Sequence, residues 1–339
     1  MKFNFEATAV GSLPLADPKI ACQLIFETFD TMPFWPQLPK RSFLENMYAQ
    51  YSERLPGMII DEKNRAIHVD SSKARDDLQE VYERFLAADV EYFKVSEGYA
   101  AGFYEFLDLL KKPLKGVRYV KGHITGPVSF GLSVTDENRK SIIYDKELFE
   151  AVTKILSMKV RWQIRKLKAL FPNVIIFVDE PYLVSIGSSY VNINIADVTG
   201  GLDEIIGAIK EEGALCGLHC CGNTDWSFLL ARGVDIINFD AYNFMKEFAL
   251  YADDLKAFLA KGGTIAWGIV PSSDAIDAET DKTIVGKLKA AIKVLADKGI
   301  DKGAISSLIT PSCGVGSMDE IRAKKVLRLT RSAAEAMRA

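Results

Sequence analysis

The chain has no run of about 18 apolar residues, so no segment is long and apolar enough to cross a bilayer as a helix. It also lacks a dominant charge: the formal net charge is −3 over 339 residues. That balance excludes the basic surface that nucleic acid or a polybasic membrane contact requires. Histidine is scarce, with three residues, and cysteine numbers five. A small, odd set of cysteines is not a secreted disulfide framework, and residues 1–6 carry no apolar signal segment. A reducing cytoplasm with free thiols is the expected setting. No Gly-x-Gly-x-x-Gly follows a strand-like run and no Gly-x-x-x-x-Gly-Lys-Ser/Thr occurs, so neither a dinucleotide fold nor a nucleotide phosphate loop is indicated. No repeat or compositional break divides the chain, which reads as one domain over residues 1–339.

What the sequence does have is alternation. Apolar, often β-branched runs at residues 7–10, 91–95, 116–121, 174–178, 234–239, 264–267 and 306–309, and one beginning at 215, read as eight strands. Helical periodicity over 72–87, 104–110, 146–170, 202–212, 245–260, 280–298 and 318–337 separates most of them. Continuous apolar strands alternating with amphipathic helices imply a parallel sheet. Eight such units predict a (β/α)8 TIM barrel with an irregular N-terminal extension. Within that extension, residues 51–70 read as irregular or a small hairpin. Residues 32–39, Met-Pro-Phe-Trp-Pro-Gln-Leu-Pro, cannot make a regular helix or a central strand. They are either a packed cover over one end of the protein, the preferred reading, or a flexible lid.

Chemistry concentrates at residues 215–225, Leu-Cys-Gly-Leu-His-Cys-Cys-Gly-Asn-Thr-Asp. His219 and Cys221 are two apart, so at the end of an extended strand both side chains fall on one side. An imidazole and a thiolate placed together suit zinc. Cys313, after the last strand, is the best candidate for a third ligand, and Asp240 is a possible fourth. The plain alternative, that cysteines fill core space, applies best to Cys216 and Cys220. Barrel closure gathers strand ends at one rim, which would carry Ser12, Glu97, His123, Thr125, Asp179, Glu180, His219, Cys221, Asp240 and Cys313. Zinc bound by two thiolates suits activation of a substrate thiol better than carbonyl polarisation. Glu97 and Asp179 would then grip an amino group or take the thiol proton. For Asp179 the plain alternative is a helix cap or loop bond, and for His123 a satisfied structural histidine.

These residues resemble the catalytic C-terminal half of cobalamin-independent methionine synthase, within the superfamily that includes uroporphyrinogen decarboxylase and the corrinoid:coenzyme M methyltransferases. The resemblance runs from Val10-Gly11-Ser12-Leu13-Pro14, through Lys121-Gly122-His123-Ile124-Thr125-Gly126-Pro127-Val128, Asp179-Glu180-Pro181 and His219-Cys220-Cys221, to Pro311-Ser312-Cys313-Gly314. It implies a zinc held by His219, Cys221 and Cys313, with Asp240 where the family carries a glutamate. It further implies a homocysteine thiolate that attacks a methyl group in line. Gly11 and Ser12 would hold the amino-acid carboxylate, Glu97 and Asp179 the amino group, with His123 and Thr125 as further substrate contacts. The chain leaves no room for the family's additional N-terminal barrel, which helps bind the folate donor, and lacks its histidine around Trp267-Gly268-Ile269-Val270-Pro271. A methylcorrinoid protein is therefore the expected methyl donor, in place of folate polyglutamate. The alternatives are a coenzyme M-type methyltransferase, a decarboxylase of the uroporphyrinogen type, and a non-catalytic zinc protein.

Overall fold

Most of the apolar runs do become strands, and the helices between them return the chain so that successive strands run parallel. A computed structural model describes residues 2–186, 191 and 193–339. Its strands are β1 (Asn4–Ala7), β2 (Met58–Asp61), β3 (Ala66–Val69), β4 (Val120–Thr125), β5 (Thr135–Asp136), β6 (Val174–Asp179), β7 (Leu215–Cys220), β8 (Ile236–Phe239), β9 (Thr264–Val270) and β10 (Ser306–Pro311). Seven of them form one curled parallel sheet in the order β1-β10-β9-β8-β7-β6-β4. The hairpin β2–β3, the second of the two readings of residues 51–70, makes a separate small sheet with the short β5.

Each main strand is buried on both faces, and its side chains divide by parity. Val120, Ile124, Ile176, Val178, Leu218, Ile237, Phe239 and Ile265 pack outward, toward helices such as Lys146–Lys168 and Ile195–Glu211. Ile175, Phe177, Ile236, Ala266 and Leu308 turn into the curl and, with Phe3, Met32 and Tyr119, form a second apolar cluster. Two residues further along the same strands, the inward positions are Asp179, Asn238 and Thr310. The apolar cluster is thus the floor beneath a polar layer.

The second of the eight expected strands, at residues 91–95, is not one. Tyr92, Phe93 and Lys94 donate their N–H groups three residues back, to Asp89, Val90 and Glu91, which makes successive turns. Val90 and Phe93 enter the core from a three-residue spacing that a strand could not bury on one side. The place between β1 and β4 is taken by residues 33–37 of the proline-aromatic segment. Trp35 N–H donates to Lys121 O (3.2 Å) and Lys121 N–H to Pro33 O (2.9 Å); Gln37 N–H donates to Gly11 O (3.1 Å) and Leu13 N–H to Gln37 O (2.9 Å). Pro33 and Pro36 fall where none of these bonds needs an N–H. Phe34, Trp35 and Leu38 are buried, so the segment is packed, as the preferred reading expects, but as part of the core between strands instead of a cover laid over one end.

The chain from there to Met47 is pinned by Glu45. Its fully buried carboxylate accepts from Leu38 N–H (3.0 Å) and from Arg41 Nη1 (2.7 Å). Burial outweighs these partners and pushes the carboxyl up to about 7. Folded protein therefore keeps a proton that the unfolded chain loses near 4.5, so this contribution to stability is full in acid and is lost as pH rises toward 7. Relative to the non-titrating Glu45→Gln variant, wild-type stability is expected to decline between about pH 4.5 and 7.5 in urea melts. A difference that stays flat with pH would refute the assignment.

Candidate metal and thiol site

Strand pairing sets the polar layer. Thr125 stands opposite Asp179, Asp179 opposite His219, and His219 opposite Asn238. The chain then leaves β7 through Cys221, and Cys313 arrives just past β10. One nitrogen or sulfur from each of His219, Cys221 and Cys313 lies within 4.8 Å of the others. All three face a cavity of about 480 Å³, which Gly11, Ser12, His123 and Asp179 also line. Cys216 and Cys220 are fully buried core residues and take no part.

His219 is presented in one orientation. Its Nδ1 lies 2.6 Å from Asn238 Oδ1, while Asn238 Nδ2 donates to Ala266 O (2.9 Å) and Thr310 Oγ1 (2.8 Å). With both amide hydrogens committed, the Asn238 oxygen can only accept, so Nδ1 carries the proton. Nε2 is buried and makes no hydrogen bond among the described residues. A metal-bound histidine has this arrangement: one nitrogen anchored, the other open.

The sulfurs are matched to it. A hydrogen bond from Cys313, reinforced by His219, pulls the Cys221 thiol down to about 4, and the same bond pushes the Cys313 thiol up. Burial disfavours a charged His219, but the neighbouring Cys221 sulfur and the Asp179 charge outweigh it and raise the imidazole. The three groups thus hold one thiolate and shared protons, and a thiophilic cation would displace those protons on binding. Nitrogen and two sulfurs beside an open cavity fit zinc, with three protein ligands and space for an exchangeable one.

The other expected site residues separate. Asp179 lies in the cavity wall with Oδ1 buried and unpartnered, and burial pushes its carboxyl up to about 6 against the charges of His219 and Lys121. Thr125 is buried with its hydroxyl unpartnered but does not line the cavity. Glu180 points away from the cavity and accepts from Val128 N–H (2.9 Å), Ser129 N–H (2.7 Å) and Ser129 Oγ (2.6 Å). Asp240 lies outside the three-ligand group: its oxygens cap the helix Ala241–Phe248, accepting from Asn243 N–H (2.9 Å) and Asn243 Nδ2 (2.6 Å). Glu97 is exposed in the turn before the helix Ala101–Leu110 and is not in the cavity wall. Sequence reasoning missed Asn238, although its position two residues before Asp240 on one strand face was a usable signal. It also missed Lys40 and Arg65, which line the cavity from irregular chain and a hairpin turn and carry no periodic signal.

No protein-family model matches the sequence, nor does any curated protein sequence. Among solved structures, the chain is similar to a B12-independent methionine synthase from Shewanella sp. W3-18-1 in complex with selenomethionine. The TM-score is 0.58 at 15% identity, over 100% of this chain and 98% of that one. At that identity the likeness is one of fold: a curled parallel α/β sheet of the kind seen in TIM-barrel-like enzymes.

Proposed function

We propose that this chain is a zinc-dependent thiol methyltransferase that methylates homocysteine, working as a single (β/α)8-type barrel in the cytoplasm. Residues 33–37 would stand in for the second strand. The observation that carries the reading is His219 Nε2, buried and free, beside two cysteine sulfurs and an open cavity. A structural zinc would be enclosed by four protein ligands, whereas three and a cavity suit a substrate ligand. A zinc held by His219, Cys221 and Cys313 would supply a stabilised substrate thiolate at neutral pH. Asp179, with a free buried oxygen, accepts the substrate ammonium or the thiol proton. Gly11 and Ser12 also line the cavity; Ser12 Oγ accepts from Gly316 N–H (3.2 Å), which leaves the hydroxyl hydrogen for a carboxylate. The sulfur lone pair forms the new bond to the methyl carbon, and the pair of the breaking bond stays with the donor, here a methylcorrinoid protein.

One observation favours a second acceptor, a thiol with a sulfonate end such as coenzyme M. Two cations, Lys40 and Arg65, line the cavity, while Glu97 does not. Titrating cobalt-substituted protein with each thiol separates the two. Homocysteine is expected to give a saturable thiolate-to-cobalt absorption band and coenzyme M a weaker one. A band with coenzyme M alone changes the acceptor, and no band with either removes the thiol-activating reading.

A further inference from the structure

His123 is the cavity's unexplained group. It is 2% exposed, yet among the described residues neither ring nitrogen has a hydrogen-bond partner. Everything around it holds the ring without using those nitrogens. The imidazole stacks on Trp35 with centroids 3.9 Å apart and planes 24° off parallel. Trp35 Nε1 donates to Gln163 Oε1 (2.9 Å), and Gln163 Nε2 (2.9 Å) and Tyr51 OH (2.7 Å) both donate to the His123 carbonyl. Gly11 lies flush with the ring edge, where a Cβ would come within 2.8 Å of Nδ1. A polar group fixed this firmly and left unpaired is set for a partner that arrives with the ligand.

The surroundings give that partner's sign. Lys121 lies two residues back on the same face of β4, fully buried, with Nζ donating to Val10 O (2.6 Å) and lying 4.5 Å from the Phe177 ring centre. Burial first, and then the charged form of Lys121, hold the imidazole well below its ordinary range, so it is neutral and offers one N–H. Burial also lowers the Lys121 ammonium to about 7 against the Asp179 charge, so an anion arriving beside it would favour its protonated form, and the pair suits an anionic acceptor.

We infer that the His123 N–H binds the anionic end of the thiol substrate, a carboxylate or a sulfonate, and so selects for thiols that carry one. The inference rests on the reading of the cavity as a thiol site. It divides the labour: Asp179 reads a cationic substituent where there is one, and His123 reads the anion.

The test uses zinc-loaded protein and four thiols measured by calorimetry: homocysteine, 4-sulfanylbutanoate, which lacks the amine, 3-aminopropane-1-thiol, which lacks the anion, and coenzyme M. His123→Phe keeps the stack on Trp35 but removes the donor. It is expected to weaken the three anionic thiols by about 10- to 100-fold and to leave 3-aminopropane-1-thiol within about twofold. His123→Gln, which restores an N–H, should recover part of the loss. Equal weakening of all four thiols, or no weakening of the anionic ones, overturns the proposal. Whether homocysteine or coenzyme M binds wild type more tightly tells carboxylate from sulfonate. Should the Phe variant not fold, ¹⁵N-imidazole spectra of wild type, with three histidines to assign, serve instead. His123 must then shift with 4-sulfanylbutanoate and stay put with 3-aminopropane-1-thiol, and any other pattern refutes it. If wild type binds none of the four, the thiol reading falls first and this inference with it.

Discussion

Cys313→Ser and Cys221→Ser are each expected to abolish stoichiometric zinc binding while leaving the secondary structure intact. A serine hydroxyl does not ionise near neutral pH, so either change leaves one thiolate and one imidazole, too few donors to hold the metal. The fold should tolerate the change because both residues lie past strand ends and are only partly buried. Cys216→Ser is the informative contrast. That side chain is fully buried outside the cluster, so it should lower thermal stability and spare the metal. Metal analysis after dialysis, with circular dichroism on the same samples, reads all three variants. Full zinc retention in both ligand variants would sink the assignment.

Asn238→Leu is expected to weaken zinc binding by about 10- to 100-fold without touching a ligand. Leucine is close in size but removes the acceptor that fixes the His219 tautomer. It also leaves Ala266 O and Thr310 Oγ1 without their donor. Asn238→Asp should fail differently, because a carboxylate accepts from His219 but cannot donate to Ala266 O. Chelator competition measures both variants. Unchanged affinity in the leucine variant would mean that the imidazole needs no second partner.

Where side chains repeat every second residue along a buried strand, the sequence was a sound guide. β6 through β10 were found within a few residues, and His219, Cys221, Asp179 and Cys313 emerge together because strand ends converge. The reading slipped where tertiary pairing overrides local pattern. Residues 91–95 have the composition of a strand but are curled by i to i+3 bonds, and the three prolines at 33, 36 and 39 hid an extended segment whose hydrogen bonds avoid them. Glu97 depended on that misplaced strand and went with it. Lys40, Arg65 and Asn46 reach the cavity from loops, where nothing in the spacing of residues marks direction.

The bond from Gly316 N–H to Ser12 Oγ, and that from Val315 N–H to Ser12 O (3.1 Å), join parts of the chain about 300 residues apart. β1 leaves the ribosome about 300 residues before β10, its neighbour in the sheet. The cavity wall at Ser12 is therefore synthesised with its partner missing, and Cys313 follows about 300 residues later. Loop closure over such a separation carries its entropic cost before any contact repays it. On the proposed reading, capture of a metal by all three ligands would wait for β10 and Cys313 to join the sheet, which would make acquisition of the ion a late step in folding.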